Sequence, residues 1–199
     1  MHHDQLHDLR HRLNGIGSMA SAIGTVLSAG GNAVDHISHE QSGTSPITGD
    51  VVILAVPFPA VDSILTAYGE KLAGRIVVDI TNPLDFQTFD SLVVPDGSSA
   101  AAQIQAALPH SHFLKAFNTT FAATLSSGTV GPVPTTVLIA GDDQGAKTTL
   151  ASAVEAVGLK ALDAGSLTRA HELEALGFLQ LTLAVSEKIG WTGGFAVVR

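Results

Sequence analysis

The sequence has no cysteine, few aromatic residues and few charged residues. Without cysteine, a disulfide scaffold, a thiolate metal site and a cysteine nucleophile are excluded. The net charge is −8, so neither nucleic acid nor an anionic membrane is an expected partner. No apolar run reaches the roughly 18 residues of a membrane span, and the N-terminal residues lack the apolar core of a signal peptide. We therefore expect a cytoplasmic protein.

Short apolar runs alternate with helical patterns along the chain. Runs rich in β-branched and other apolar residues predict buried strands at 51–56, 76–80, 112–117 and 136–140. Between these strands, apolar residues recur at helical spacing over 59–72, 98–108 and 146–157. The alternation predicts an α/β fold of the Rossmann type, in which helices cover both faces of a doubly wound parallel sheet.

The spacing of the elements predicts two departures from a full doubly wound fold. Only about eleven residues separate a predicted second strand, 33–38, from the strand that begins near Asp50, so the third strand is expected to be missing. After Gly165 the chain changes to a single long apolar helix, 166–190. We expect a dinucleotide-binding domain over 1–165 and a C-terminal helix and tail, 166–199, that pack on it and roof the bound cofactor.

The long C-terminal helix is apolar around much of its circumference. Its leucines and phenylalanine recur at helical spacing, which predicts a buried face formed by Leu173, Leu176, Phe178 and Leu179. Such a helix can bury this face against the sheet or against a second subunit. We therefore expect a homodimer.

A glycine-rich turn precedes the first helical pattern. Gly15, Gly17 and Ala20 match G-x-G-x-x-[GA]: the first glycine allows a tight turn, the second lets a pyrophosphate approach the backbone, and alanine lets the helix pack closely on the sheet. Amides at the start of the following helix would face the anion. The pattern predicts a dinucleotide-binding turn.

The segment before this turn does not have the apolar character of a first Rossmann strand. Residues 9–14 are mostly polar, whereas Leu6, Leu9 and Leu13 are spaced like one face of a helix. Either a polar first strand is tolerated, or the N-terminal segment is built differently.

No side chain is assigned a catalytic or metal-binding role. Four N-terminal histidines lack a carboxylate or a rigid element that would fix their geometry, so we interpret them as a solvated leader and expect no metal site: His2, His3, His7 and His11. His171 and Glu172 could act as acid or base, but a surface position on the long helix is the simpler interpretation. Catalysis by hydride transfer requires no side-chain nucleophile, because the cofactor carries the reactive carbon.

The residues near the end of the second strand bear on cofactor choice. Asp35 lies about 20 residues after the first glycine, where an NAD-binding acid is usual. If the strand continues through Ile37, however, Ser38 and His39 lie at the adenosine ribose instead. Ser38 can donate to a 2′-phosphate and His39 can stack or carry charge, which favours NADP.

A string of short motifs in this order resembles the coenzyme F420-dependent NADP oxidoreductase family. The motifs are Gly-Ile-Gly-Ser-Met-Ala-Ser-Ala-Ile (15–23), Ala-Val-Pro (55–57), Val-Asp-Ile-Thr-Asn-Pro (78–83), Ser-Ser-Ala-Ala (98–101), Lys-Ala-Phe-Asn-Thr (115–119) and Ala-Gly-Asp-Asp (140–143). The resemblance is strongest to a branch of bacterial NADP-binding oxidoreductases. The animal membrane ferric reductases carry a similar cytosolic domain.

The resemblance implies that NADPH lies across the carboxyl ends of the strands. It implies the following cofactor-binding residues: Gly15, Ile16, Gly17, Ser18 and Met19 at the pyrophosphate; Ser38 and His39 at the 2′-phosphate; Ala55, Val56 and Pro57 at the point where the strand order reverses; Thr81, Asn82 and Pro83 at the next strand end; and Ala116, Phe117 and Asn118 by the nicotinamide. His39 departs from the arginine or lysine usual in the family.

The resemblance also implies a reaction, the transfer of a hydride between NADPH and a flavin- or deazaflavin-like acceptor such as F420. The alternative is a non-catalytic NADP(H)-binding redox sensor. The glycine-rich string is also similar to that of pyrroline-carboxylate reductases, but those need a substantial helical dimerisation domain and only 34 residues follow Gly165. The small-molecule acceptor is the partner we expect.

Overall fold

The computed structural model of the protein describes residues 10–14 and 17–198. Its strands are β1 (Arg10–Asn14), β2 (Ala33–Ile37), β3 (Val51–Leu54), β4 (Ile76–Asp79), β5 (His112–Ala116), β6 (Thr129–Val130), β7 (Val133–Pro134), β8 (Thr136–Gly141) and β9 (Lys160–Gly165). Its α-helices are α1 (Ser18–Ala29), α2 (Val61–Tyr68), α3 (Ala100–Ala107), α4 (Ala122–Ser127), α5 (Gln144–Glu155) and α6 (Ala170–Val185). Short 3-10 turns occupy His39–Gln41, Phe58–Ala60, Gly69–Leu72 and Leu167–Arg169.

The main sheet has seven strands in the order β2-β1-β3-β4-β5-β8-β9. The first five in this order are parallel, which confirms the doubly wound Rossmann-like fold. β2 lies at the edge, where a full fold would continue into a third strand, so the predicted loss of that strand is confirmed.

The last two strands run in the opposite direction to the rest, which the sequence pattern did not indicate. β8 pairs antiparallel with β5, and β9 is parallel to β8. The helix between β5 and β8 is α4, only six residues long. At 1.5 Å per residue it is about 9 Å long, too short to carry the chain back along a five-residue strand of about 17 Å. The chain therefore enters β8 from the end at which β5 leaves the sheet.

The polar N-terminal segment is a strand. Residues 10–14 form β1, which pairs with β2 on one side and β3 on the other, so the helical alternative is wrong. The backbone of β1 pairs with a neighbouring strand on each side, and backbone pairing does not depend on apolar side chains. The glycine-turn residues Gly15 and Ile16, and the histidines at 2, 3 and 7, lie outside the described residues.

Two hydrophobic cores lie on opposite faces of the sheet. Val51 and Ile53 of β3 face a core built with α1, α4 and α5. Val52 and Leu54 face a second core built with α2 and α3. All four residues are fully buried, which explains why this strand is continuously apolar rather than alternating.

α6 is shorter than the sequence predicted and, within this chain, buries only part of the predicted face. It runs from Ala170 to Val185, and Glu187 beyond it has a positive φ of 58°. Its buried residues are Ala170, Leu173, Glu174, Gly177, Gln180 and Ala184. Within this chain Leu173 is buried as predicted, whereas Leu179 is 48% exposed and Leu176 and Phe178 are only half-buried. The homodimer stays a prediction. None of the described helices is both long and apolar enough to cross a membrane.

Candidate functional site

A cleft of 520 Å³ opens at the carboxyl edge of the parallel strands. Its volume falls within the roughly 300–1,000 Å³ of typical small-molecule sites, and its position is where open α/β sheets bind ligands. It is lined by Ser18, Met19, Ala55, Val56, Pro57, Phe58, Ile80, Thr81, Asn82, Leu84, Phe86, Phe117, Asn118, Thr120, Phe121, Ala122, Ala123, Leu181 and Trp191.

The start of α1 borders this cleft and lacks a side-chain cap from the described residues. Gly17 is the N-cap residue, no described side chain hydrogen-bonds to the cap, and the first turn carries no acidic residue. Gly17 has φ −84° and ψ 169°, a conformation open to any residue. A Cβ at Gly17 would meet no described atom within 4 Å. Neither backbone conformation nor packing against described residues therefore requires a glycine, whereas an anion approaching the helix amides would.

The structure brings together most of the residues that the sequence assigned to the cofactor. Those on the cleft wall are Ser18, Met19, Ala55, Val56, Pro57, Thr81, Asn82, Phe117 and Asn118. Two others, Ala116 and Pro83, are buried and do not line the cleft. Ala116 packs in the core on the α1 face of the sheet. Pro83 is held in a turn, where its carbonyl accepts a hydrogen bond from the Val93 amide at 2.7 Å.

The end of β2 distinguishes the two candidate ribose positions. Asp35 pairs in register with Arg12 in the middle of the strand. The strand ends at Ile37, so Ser38 is the first residue beyond its carboxyl end, followed by the turn that begins at His39. The Ser38 amide donates a hydrogen bond to the Gln41 side chain at 3.1 Å. The strand thus ends where the Ser38 and His39 assignment requires.

Two asparagines form a reciprocal pair at the cleft. The Asn82 side chain donates to the Asn118 carbonyl at 2.9 Å, and the Asn118 side chain donates to Asn82 Oδ1 at 3.0 Å and to the Leu173 carbonyl of α6 at 2.8 Å. Asn118 Oδ1 and Thr81 Oγ1 are buried without a hydrogen-bond partner among the described residues. Both atoms belong to cleft-lining residues, as expected where a polar ligand completes a site.

Phe117 carries an unusual backbone conformation at this edge. Its φ is 62°, in the left-handed region, although it is a fully buried aromatic residue. The Thr120 amide and hydroxyl both donate to the Phe117 carbonyl, at 3.1 Å and 2.7 Å, and hold the turn. Such a conformation costs of the order of 1–3 kcal/mol and concentrates at functional sites.

α6 and the C-terminal tail complete the cleft. A Cβ at Gly177 would lie 2.5 Å from Asn82 Oδ1 and 2.9 Å from the Asn118 carbonyl oxygen, so only glycine lets α6 approach this closely. Gln180 donates to the Thr119 carbonyl at 3.2 Å and accepts from the Phe195 amide at 3.0 Å. The tail is thereby fixed near the cleft.

Sequence reasoning missed the apolar half of the lining. The missed residues are Phe58, Ile80, Leu84, Phe86, Thr120, Phe121, Ala122, Ala123, Leu181 and Trp191. Two of them directly adjoin assigned residues, since Phe58 follows Pro57 and Ile80 precedes Thr81, and Phe121 lies three residues after Asn118. Trp191 is the sole tryptophan, and only the three-dimensional fold brings it to within 5.0 Å of the Phe121 ring.

A buried ionic cluster lies beneath the cleft but does not line it. Lys115 Nζ lies 2.7 Å from Asp79 Oδ2 and 2.9 Å from Glu174 Oε1, and all three side chains are almost wholly buried. Glu174 also accepts the Ala100 and Ala101 amides at 2.8 Å and 3.1 Å, so it caps α3 from α6. This cluster ties α6 to the sheet. Lys115 is a structural ion-pair partner.

The fold and the edge cleft define a Rossmann-type dinucleotide-binding protein. A family model described as NADP oxidoreductase coenzyme F420-dependent matches residues 32–83. The F420-dependent NADP reductase of Methanocaldococcus jannaschii is 32% identical over 149 residues, which are 73% of this chain and 66% of the reductase. The chain belongs to the F420-dependent NADP oxidoreductase family.

Two further proteins are similar to this chain, one in sequence and one in fold. The rat metalloreductase STEAP3 is 34% identical over 137 residues, 69% of this chain but only 26% of the metalloreductase. The chain thus covers just under two thirds of the Methanocaldococcus reductase and about a quarter of the metalloreductase. The crystal structure of a putative F420-dependent NADP-reductase from Arthrobacter sp. FB24 has the same fold, with a TM-score of 0.81 and 23% identity over 95% of this chain and 99% of that one.

Proposed function

We propose that this chain is an NADP(H)-dependent oxidoreductase that transfers a hydride between the cofactor and a flavin- or deazaflavin-like acceptor. The observation that carries the proposal is the uncapped start of α1 at Gly17, which opens onto the carboxyl-edge cleft. An anion can reach the helix amides there without displacing any described side chain. The names of two relatives, both F420-dependent NADP reductases, support the same cofactor.

The residues at the edge fit a dinucleotide from end to end. The turn that ends in Gly17, Ser18 and Met19 would hold the pyrophosphate, and Ser38 with His39 would hold the 2′-phosphate. Ala55, Val56 and Pro57 would pack along the cofactor where the strand order reverses, between β1 and β3. The assignments of Gly15, Ile16 and the His39 side chain are proposals from the sequence.

Asn82, Thr81 and Asn118 would hold the polar edge of the nicotinamide end. Among the described residues, Asn118 Oδ1 and Thr81 Oγ1 are buried without partners, so they offer hydrogen-bonding capacity to a ligand. The reciprocal pair between Asn82 and Asn118 restricts how either side chain can turn. Restricted amides position a ring more sharply than freely rotating ones.

The chemistry suits an acceptor that needs no acid from the protein. NADPH, when bound, supplies the hydride. No cleft-lining side chain among the described residues is a carboxylate, histidine or lysine. The apolar lining, including Phe117, Phe121 and Trp191, excludes water from the transfer. Reduction of an imine or a carbonyl usually requires a proton donor from the protein. A flavin or deazaflavin ring does not depend on such a donor and therefore suits this lining.

The test is stopped-flow absorbance at the nicotinamide band, with NADPH and FMN, FAD, riboflavin or F420. We expect the wild-type chain to oxidise NADPH with at least one ring acceptor, and a Gly17→Val variant to lose the rate. Gly69→Val is the matched control, because Gly69 has an ordinary φ and a Cβ there would meet no described atom within 4 Å, but it lies away from the cleft. Binding of NADPH without transfer to any acceptor above the Gly17→Val rate would overturn the reaction and leave a binding module.

A further inference from the structure

The cleft is electrically neutral along its described lining. Its walls contain only apolar, hydroxyl and amide side chains, with none of Lys, Arg, His, Asp or Glu. This is unusual for a site proposed to take flavin-type acceptors, whose commonest forms carry phosphate or carboxylate tails. Such tails are normally met by lysine, by bidentate arginine, or by helix amides.

Several of the chain's positively charged side chains have partners away from the cleft. Lys115 is buried in ion pairs with Asp79 and Glu174, and Lys147 forms an ion pair with Asp163 at 2.8 Å. Arg75 donates to the carbonyls of Gly49 and Ile47 at the opposite edge of the sheet. The net charge of −8 adds a general repulsion toward anions.

We infer that the acceptor is recognised by an uncharged planar ring, stacked at Trp191, and that an anionic tail contributes nothing to its binding. The inference rests on the proposed function and names the substrate class of the same site. Isoalloxazine rings without phosphate, as in riboflavin and lumiflavin, belong to this class. Trp191 is then a residue that determines acceptor specificity.

The geometry of the rim supports stacking. The Trp191 ring contacts Phe121 at 5.0 Å between centroids with a tilt of 56°, and Trp191 remains 52% exposed. An aromatic side chain packed on one side and open on the other presents a ring surface to a planar ligand. Gln180 holds the tail through the Phe195 amide, so the indole is not on a free end. Phe86, 53% exposed, supplies a further aromatic surface to the lining.

The first test is a binding titration read by the fluorescence of the sole tryptophan. Lumiflavin, riboflavin and FMN are titrated in the presence of saturating NADP⁺, which carries no hydride to transfer. We expect FMN to bind no more than about threefold more tightly than riboflavin, and salt to leave this ratio unchanged, because no phosphate contact is made. A larger preference for FMN would overturn the inference, because it would show that a charged group of the protein binds the FMN phosphate.

The second test separates ring stacking from general packing. Trp191→Leu is expected to raise the KM for riboflavin and FMN by about tenfold each, since a stacking surface is lost, while Trp191→Phe stays within about threefold of wild type. The NADPH dissociation constant should be unchanged in both. Val198→Ala, in the same tail but off the cleft, is the control. An unchanged KM for riboflavin in Trp191→Leu would overturn the role of Trp191.

The two proposals fail in different ways. If no acceptor oxidises bound NADPH, the proposed function is wrong, and the titration then measures the binding of flavins that are not substrates. If flavins are reduced but FMN and FAD are strongly preferred over riboflavin, hydride transfer stands and only the neutral-ring inference is wrong.

Discussion

The two edges of the sheet carry cavities of almost equal volume and opposite chemistry. The carboxyl edge has the neutral cleft of 520 Å³, whereas the amino edge has a polar cavity of 510 Å³ lined in part by Asp50, Arg75, His112 and Asp143. Volume alone would not separate them. What separates them is whether the polar groups are already satisfied by the protein itself.

At the amino edge three of these four charged side chains have hydrogen-bond partners within the protein. His112 Nδ1 lies 2.7 Å from Asp143 Oδ2, and Asp143 Oδ1 accepts the Ala146 amide at 2.7 Å and so caps α5. Arg75 donates to loop carbonyls. At the carboxyl edge, no described side chain caps α1, and Thr81 and Asn118 each have a buried atom without a partner in the described part of the chain. The unsatisfied polar atoms therefore lie at the carboxyl edge, where we propose that the ligand binds.

The largest effect is expected from the charge buried between these two edges. Lys115→Met would leave Asp79 and Glu174 buried without their cation, which should lower the free energy of unfolding by about 3–5 kcal/mol. Urea denaturation followed by circular dichroism measures it. Lys188→Met, at an exposed position just beyond α6, should change stability by less than about 0.5 kcal/mol. A loss under about 1 kcal/mol for Lys115→Met would show that the cluster does not hold α6 to the sheet.

The next effect concerns binding at the carboxyl edge. Gly17→Val places a side chain in the open space at the start of α1 and should weaken NADPH binding at least about 100-fold, or about 2.8 kcal/mol. Stability should fall by less than about 1 kcal/mol, because the backbone there suits any residue. Calorimetry with Gly69→Val as control checks both. Unchanged NADPH affinity in a folded Gly17→Val variant would contradict the assignment of this edge.

The sequence predicted well which residues gather at the carboxyl edge of the sheet, because strand ends are local features. Pro57, Asn82 and Asn118 each follow a short apolar run, and parallel strands bring such ends together without any knowledge of packing. The loss of the third strand could be predicted in the same way, because the prediction needed only the number of residues between β2 and β3.

The sequence could not predict which face of α6 is buried. A helix with leucines on several sides gives no unique apolar stripe, so Leu179 was expected inside. The buried face is instead set by distant partners: Glu174 by Lys115, Gly177 by Asn82, and Gln180 by Thr119. These contacts join residues more than 50 positions apart, and no periodicity within the helix encodes them.

A third, smaller effect is expected at the contact between α6 and the cleft. Gly177→Ala would bring a methyl group to within 2.5 Å of Asn82 Oδ1 and should destabilise the fold by about 1–3 kcal/mol, as overpacking does. The displaced asparagine pair should also raise the NADPH dissociation constant. Gly69→Ala, where the added methyl meets open space, should leave both quantities near wild type. An unaltered melting temperature for Gly177→Ala would show that α6 does not approach the asparagines this closely.

The smallest effect is expected at the amino edge and should depend on pH. Hydrogen bonds from the Ala146 amide and the His112 ring hold the pKa of Asp143 below its usual value of 3.8. A carboxyl whose pKa is lowered by folding adds stability above its unfolded pKa and loses it as pH falls through the folded value. The stability difference between wild type and Asp143→Asn should therefore be constant above about pH 5 and shrink below pH 3.8.

Two variants at this position separate the charge from the helix cap. Asp143→Asn keeps an oxygen that can accept the Ala146 amide, whereas Asp143→Ala removes it, so Ala should be the less stable of the two at every pH. Both losses should be small, because the Asp143 and His112 side chains are 39% and 48% exposed and solvent screens the pair. NADPH affinity should equal that of wild type in both variants, since this residue lies at the opposite edge from the cleft. A change in NADPH affinity without a change in stability would mean that the amino edge, and not only the carboxyl edge, takes part in binding.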